Sequence, residues 1–237
     1  MSTSFIVFIV LTIAIVAISA YRLGVNVSKA AKQEAPEAQN KIPYEKSLEK
    51  NTKKFKYGTF TDARDGETYR TVKIGGQTWM AENLRFKAGG SFAPDNDEAN
   101  VKKFGRLYTW TTALGISDDF SVESPANSIA PEGWHIPNNQ EWEALLANID
   151  PKADGSEFRS ECIWQKPGKD TFGFFALPAG YRFNNGTYHH FGRRARFWSK
   201  DEYGGLNAFR LSLTNNSVDI EGVCRSDAIS VRCIKNA

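Results

Sequence analysis

Few residues in this chain have the types and spacing that catalysis needs. Nucleophilic catalysis requires a Ser or Cys beside a His and an orienting acid. Only three His occur, His135, His189 and His190, and no Gly-x-Ser-x-Gly elbow accompanies them. Neither a Walker loop nor a Gly-x-Gly-x-x-Gly turn is present. His189 and His190 are adjacent, and neighbours on a strand point to opposite faces, which disfavours a shared metal ion. Asp95, Asp97 and Glu98 lie within APDNDEAN and offer oxygen ligands of the kind Ca²⁺ takes. The run lacks the full EF-hand loop, the sixth-position Gly included, so a solvated acidic loop is the better reading. The expectation is no catalytic residue, no metal site and no cofactor.

Binding is the chemistry the residues support better. Residues 182–205 read RFNNGTYHHFGRRARFWSKDEYGG. Aromatic rings among amides and carboxylates suit sugars, whose C–H faces stack while their hydroxyls hydrogen-bond. The candidate ligand-binding residues are Arg182, Asn184, Tyr188, Trp198, Asp201 and Tyr203. Against this, Trp198 reads equally as a core residue, and Arg193, Arg194 and Arg196 as a charged strand edge that discourages pairing.

The elements that must position these residues are partly legible. Thr68–Ile74 (TYRTVKI) alternates, Gly75-Gly76 is a two-residue turn and Gln77–Asn83 follows, which predicts a β-hairpin. Asp65-Gly66 is a second tight-turn signal. Phe104–Leu114 places Leu107, Trp110 and Leu114 at i, i+3 and i+7, with Gly115 to end a helix. Asn138 and Glu141 form a capping-box pattern before Trp142, Leu145, Leu146 and Ile149, which predicts a second helix. Beyond Pro167 the chain reads as strands: Phe172–Leu177, Ala208–Leu213, Ser217–Glu221 and a terminal Ala228–Ile234, with turns at Asn184-Asn185-Gly186 and Asn215-Asn216. The expected fold class is α+β, a single domain of two helices and mixed short strands. Its terminal strand would pair near the opening hairpin.

The 237 residues divide into three stretches of different charge. Residues 1–25 carry only Arg22, giving +1. Residues 26–57 carry eight Lys and four Glu, giving +4. Residues 58–237 keep the other 21 of 30 Lys+Arg and 23 of 27 Asp+Glu, giving −2. The total of +3 is therefore a property of the leader and linker, and a nucleic-acid partner is not expected. Phe5–Ala20 (FIVFIVLTIAIVAISA) is apolar on every face and uncharged, which predicts an N-terminal transmembrane anchor. A cleaved signal peptide is the alternative, disfavoured by the lack of Lys or Arg ahead of the run. Residues 26–57 read as a Lys/Glu-rich linker, partly helical around Tyr44–Lys54, with too little apolar surface to fold alone.

Six segments, taken in order, resemble one family. They are TVKIGGQTWMAENL (71–84), FGRLYTWTTAL (104–114), PEGWHIPNNQEWEAL (131–145), DTFGFFALPAGYR (170–182), FWS (197–199) and SVRCIK (230–235). The family is the Fibrobacter succinogenes major paralogous domain, and the likeness spans residues 58–236. It implies a bacterial cell-envelope or surface protein, without established chemistry, in which attachment to plant polysaccharide is a reasonable role. It places the C-terminal domain in the periplasm or outside the cell. Arg22, Lys29 and Lys32 pull the other way, since the positive-inside rule would keep the domain cytoplasmic. The segment order is also similar to a C-type-lectin-like fold of the kind formylglycine-generating enzymes use, although the Ca²⁺-dependent sugar motifs of true C-type lectins are absent.

The chain departs from the family in its cysteines. Members often carry Cys around the acidic loop and just before Pro-x-Gly-Trp-His; here the loop has none and residue 130 is Ala. If Cys233 has lost its usual partner, the resemblance makes Cys224 the first choice for a disulfide, leaving Cys162 free. The plain alternative is three reduced, buried thiols. The resulting expectation is a non-catalytic binding or adhesion module, with glycan as a candidate ligand. A structural subunit of an envelope or secretion assembly with protein partners is the alternative. A third reading makes Cys224 and Cys233 a formylglycine-generating-type oxidoreductase pair.

Overall fold

The computed structural model describes residues 42–116 and 128–237. The apolar run at residues 5–20 and most of the linker lie outside these residues. Among the described residues, no helix is long and apolar enough to cross a membrane.

The alternating TYRTVKI run forms the strand the sequence predicts. β1 (Gly58–Thr61), β2 (Thr68–Ile74) and β3 (Gln77–Met80) make an antiparallel meander. The β2–β3 turn places Gly75 at φ 58°, in the left-handed region where a Cβ is penalised. The Asp65-Gly66 turn also forms, with the Gly66 N–H donating to the Asp62 carbonyl at 2.8 Å. The C-terminal strand β13 (Ile234–Lys235) pairs with β3 through Ile234 and Trp79, and with β6 (Trp134–His135) on its other side. The order β1-β2-β3-β13-β6 thus joins the C-terminus to the opening hairpin, as expected.

The terminal strand itself is not continuous. Residues 228–234 divide into β12 (Ile229–Ser230), in a second sheet, and β13. Between them the backbone bonds to the end of β3 and the segment after it: the Met80 N–H donates to the Cys233 carbonyl and the Leu84 N–H to that of Val231. The interruption lets Arg232 turn inward against Asn83.

The second sheet runs β11-β10-β9-β12-β5-β4. Its centre is the hairpin of β9 (Ala195–Gly204) and β10 (Asn207–Leu213), extended by β11 (Val218–Cys224). β12 runs parallel to β9, and β5 (Leu107–Tyr108) and β4 (Ser91–Phe92) complete the sheet. A separate hairpin, β7 (Tyr181–Arg182) and β8 (Tyr188–His189), closes over the predicted Asn184-Asn185-Gly186 turn. Phe172–Leu177 is buried in part but forms no strand beyond one bridge from Ala176 to Arg159. Asp170 and Phe175 sit at φ 39° and 52°, which takes this run out of extended geometry.

Among the described residues there are four α-helices: α1 (Tyr44–Lys54), α2 (Val101–Phe104), α3 (Trp110–Leu114) and α4 (Asn139–Leu146). α4 starts with both halves of the predicted capping box: the Glu141 N–H donates to Asn138 Oδ1 and the Asn138 N–H to Glu141 Oε2, each at 2.8 Å. The single helix expected over Phe104–Leu114 does not form. Gly105, at φ 75°, ends α2, and a Cβ there would lie 2.9 Å from the Leu84 carbonyl oxygen. Thr109 then caps α3 by accepting from the Thr112 N–H, so Leu107 between them joins β5.

α1 falls in the stretch read as linker, yet it docks onto the domain. Its buried residues are Ser47 and Asn51, both polar. Asn51 donates through Nδ2 to Asp170 and accepts through Oδ1 from Tyr57 and Arg70. The helix is held by hydrogen bonds to charged groups, the stronger class.

Candidate functional site

The six predicted ligand-binding residues do not meet in one place. Arg182, Asn184 and Tyr188 gather on the β7–β8 hairpin. The Arg182 guanidinium lies over Phe92 at 4.1 Å and Tyr188 at 6.0 Å. The Asn184 N–H donates to Asp227 Oδ1, and the Tyr188 hydroxyl to Asn96 Oδ1 at 3.4 Å. Trp198 is core: it is fully buried and its Nε1 donates to the Tyr108 carbonyl at 2.7 Å. Asp201 instead accepts from the Asn139 N–H at the start of α4. Tyr203 stands 56% exposed near the β9–β10 turn, edge-on to Phe209. Strand alternation explains the scatter, because it sends neighbours on β9 to opposite faces.

The histidines and acidic loop are engaged in structure. His135 bridges Asn236 through Nδ1 and Glu141 through Nε2, each at 2.7 Å. The rings of His189 and His190 pack against Tyr181. Burial, with Arg194 and Arg196 nearby, lowers the His190 pKa. Asp97 accepts from the Ala99 N–H, and Glu98 pairs with Arg106. Among the described residues, no group of three or more His, Cys, Asp or Glu is placed to hold a metal ion.

All three cysteines are free thiols, so the expected Cys224–Cys233 disulfide is not made. Cys233 is sealed in the core with Tyr69 and Met80, whereas Cys224 ends β11 opposite Asn207. Burial pushes the Cys233 thiol up to about 12 and raises that of Cys162. A thiol held protonated in this way is a poor nucleophile.

The structure also holds a hollow that the sequence did not mark. A cleft of about 950 Å³ opens between α1, the β1–β2 loop, the segment after β3 and the region of α2. Tyr44 and Leu48 come from α1, and Phe86 faces the same space. Two of its arginines are paired with acids. Arg85 donates from Nε to Glu67 at 2.5 Å and from Nη2 to the Thr68 carbonyl at 2.6 Å, with its plane over Tyr69. Burial pulls the Arg85 pKa down, and Glu67, Tyr69 and Glu82 outweigh that to hold it above the ordinary value. Arg106 grips Glu98 with a two-pronged contact at 2.5 and 3.2 Å. Lys103 Nζ sits 4.6 Å from the Tyr44 ring centre, and burial with Glu82 raises the Tyr44 hydroxyl to about 12. Lys87 and Lys102 line the cleft exposed and make no ion pair among the described residues. These walls present oriented donors and acceptors beside apolar rings.

The profile of the Fibrobacter succinogenes major domain matches residues 72–235. The chain belongs to this family. No curated protein and no solved structure matches the chain. The family segment starts inside β2 and ends in β13, so it contains the second sheet and most of the first, but not α1 or β1. One wall of the cleft is therefore supplied by residues ahead of the family segment.

Other features were missed for identifiable reasons. Arg232 is fully buried, donates twice to Asn83 Oδ1, and lies over Phe174 and Phe197. The one available signal was an Arg inside the apolar run AISVRCI. Nothing local in the sequence marked Asn51 or Asp170, which meet across 119 positions.

Proposed function

We propose that this chain is a non-catalytic cell-envelope protein whose domain binds a polar polymer, glycan foremost, in the cleft beside α1. The observation that carries the reading is that cleft: about 950 Å³, walled by paired charges and edged by Tyr44 and Phe86. Prepaired Arg–Glu contacts keep hydrogen-bonding groups fixed before a ligand arrives, which lowers the cost of binding. The buried, protonated Cys233 argues against the two-cysteine oxidoreductase reading. Membrane attachment through residues 1–25, with the domain displayed in the periplasm or outside, belongs to the same proposal and rests on the apolar N-terminal run. So does the C-type-lectin-like reading of the fold, which is supported by the pairing of β13 with the opening hairpin.

A structural subunit of an envelope assembly is the second reading. It is favoured by Leu206 and Tyr203, 80% and 56% exposed on one hairpin end, a place where a protein partner would bury apolar surface. Retention of the full chain on a panel of insoluble plant polysaccharides tests the first reading. Specific retention supports it. No retention, with stable co-purifying envelope proteins, moves the assignment to the second.

A further inference from the structure

The β9–β10 hairpin buries polar side chains whose donors lack partners. In the antiparallel register Arg196 stands opposite Ser212, and Arg210 opposite Trp198. Directly opposed residues share a face, so both guanidiniums and the Ser212 hydroxyl project to the same side of the sheet. There β7 covers them: the Arg196 guanidinium stacks on the Tyr181 ring at 3.6 Å. Arg196 is 6% exposed and Arg210 3%.

Their hydrogen-bonding capacity is left unspent. The Arg196 side chain makes no hydrogen bond or ion pair among the described residues, and its Nε is sealed from solvent without a partner. Arg210 uses only Nη2, on Glu221 at 2.6 Å, which leaves its buried Nε and Nη1 unpaired. The Ser212 hydroxyl is likewise buried and unpaired. Asp227, near both arginines, spends Oδ1 on the Asn184 N–H and bonds neither guanidinium. Burial lowers the pKa of both arginines, and each is pushed further down by a neighbouring Arg: Arg210 beside Arg196, and Arg194 beside Arg210. Arg196, buried without an ion pair, is costly, and so are the sealed donors of Arg210, whose charge Glu221 meets through Nη2 alone.

We infer that Arg196, Arg210 and Ser212 form a binding site for a small oxyanion, a carboxylate or a sulfate or phosphate group, held by the unpaired guanidinium N–H groups and the hydroxyl. The planar fork of Arg suits either geometry. The anion arrives alone or as part of a larger acidic ligand reaching past the β7–β8 hairpin.

The test is thermal unfolding of the full chain at constant ionic strength. Sodium sulfate, phosphate, acetate and glucuronate are each titrated against chloride. Binding to the folded state alone raises the midpoint by roughly 5–10 °C at a hundredfold excess over Kd, for a domain of this size. Glucuronate and acetate acting without sulfate or phosphate assigns a carboxylate ligand; the reverse assigns a sulfate or phosphate ester. Arg196→Gln is expected to abolish the response. Ser212→Asp brings a tethered carboxylate to the same donors, so it is expected to raise the midpoint without added anion and to abolish the response. That variant keeps the test decisive if Arg196→Gln fails to fold. A response equal to that of chloride, or a response retained in Ser212→Asp, would overturn the inference.

Discussion

Asn51→Ala is the sharpest probe of how the domain is assembled. Asn51 is buried on α1 and joins three partners: it donates to Asp170 and accepts from the Tyr57 hydroxyl and Arg70 Nη1. Two of the three are charged, and such bonds contribute about 1.5–3 kcal/mol each against about 1 for a neutral pair. The full sum is not lost. Tyr57 keeps the Gly173 carbonyl at 2.8 Å, and Asp170 keeps the Phe175 N–H at 2.9 Å. Arg70 fares worse, because its Nη2 is already buried without a partner and Nη1 would join it. The expected loss is therefore roughly 3 kcal/mol, or about 6–12 °C in melting midpoint for a domain of this size. Urea unfolding of the full chain measures the first, and amide exchange across residues 44–54 measures whether α1 loosens. A loss below about 1 kcal/mol, or unchanged protection in α1, would show that the helix is held otherwise, and the reasoning would fail.

Three further outcomes follow from the same structure. Burial raises the Asp170 carboxyl from 3.8 to about 6, so the folded state holds that proton more tightly than the unfolded chain. Its stabilising effect is full below pH 3.8 and fades by about 3 kcal/mol as pH rises through 6. Asp170→Asn should flatten that fall in urea midpoint between pH 4 and 7; an identical slope in both proteins would contradict it. Asn138→Ala removes the side-chain half of the α4 capping box and should cost about 1 kcal/mol, with faster amide exchange confined to α4; a global change in exchange would count against the assignment. Cys224, half-buried, should react with a maleimide in the folded protein, while the buried Cys162 and Cys233 react only after unfolding. Failure of any thiol to react after unfolding without reductant would mean that a disulfide exists.

Local signals were the ones the sequence carried plainly. Alternation in TYRTVKI, the Gly75-Gly76 turn and the Asn138/Glu141 capping box each act within a few residues, and each formed as read. Phe104–Leu114 misled because its apolar spacing is helical, while Gly105 and Thr109 impose an end and a restart that spacing does not register. α1 reads as a solvated spacer because the residues it buries most are the polar Ser47 and Asn51, with only Tyr44 and Leu48 packing in part against the core. Trp198 reads as core from its FWS motif and as a sugar platform only from its polar neighbours. The β9 pairing with β10 and β12 instead places it under Tyr108 and Trp110. The Arg196–Arg210 pair was invisible for a related reason. Its juxtaposition depends on a β9–β10 register that shifts between Ala208 and Arg210, and no local pattern encodes such a shift.

The proposed binding role turns on the cleft beside α1. Lys87 and Lys102 line it, exposed and without ion pairs among the described residues, so reversing their charge alters the cleft and spares the core. The direct measurement is calorimetric titration of the full chain with the polysaccharide it retains best, wild type beside a Lys87→Glu/Lys102→Glu variant of unchanged melting midpoint. The predicted result is an affinity weakened by about tenfold or more, equivalent to about 1.4 kcal/mol. Equal affinity in the two proteins, or no polysaccharide bound by either, would contradict the assignment of the cleft as the binding site.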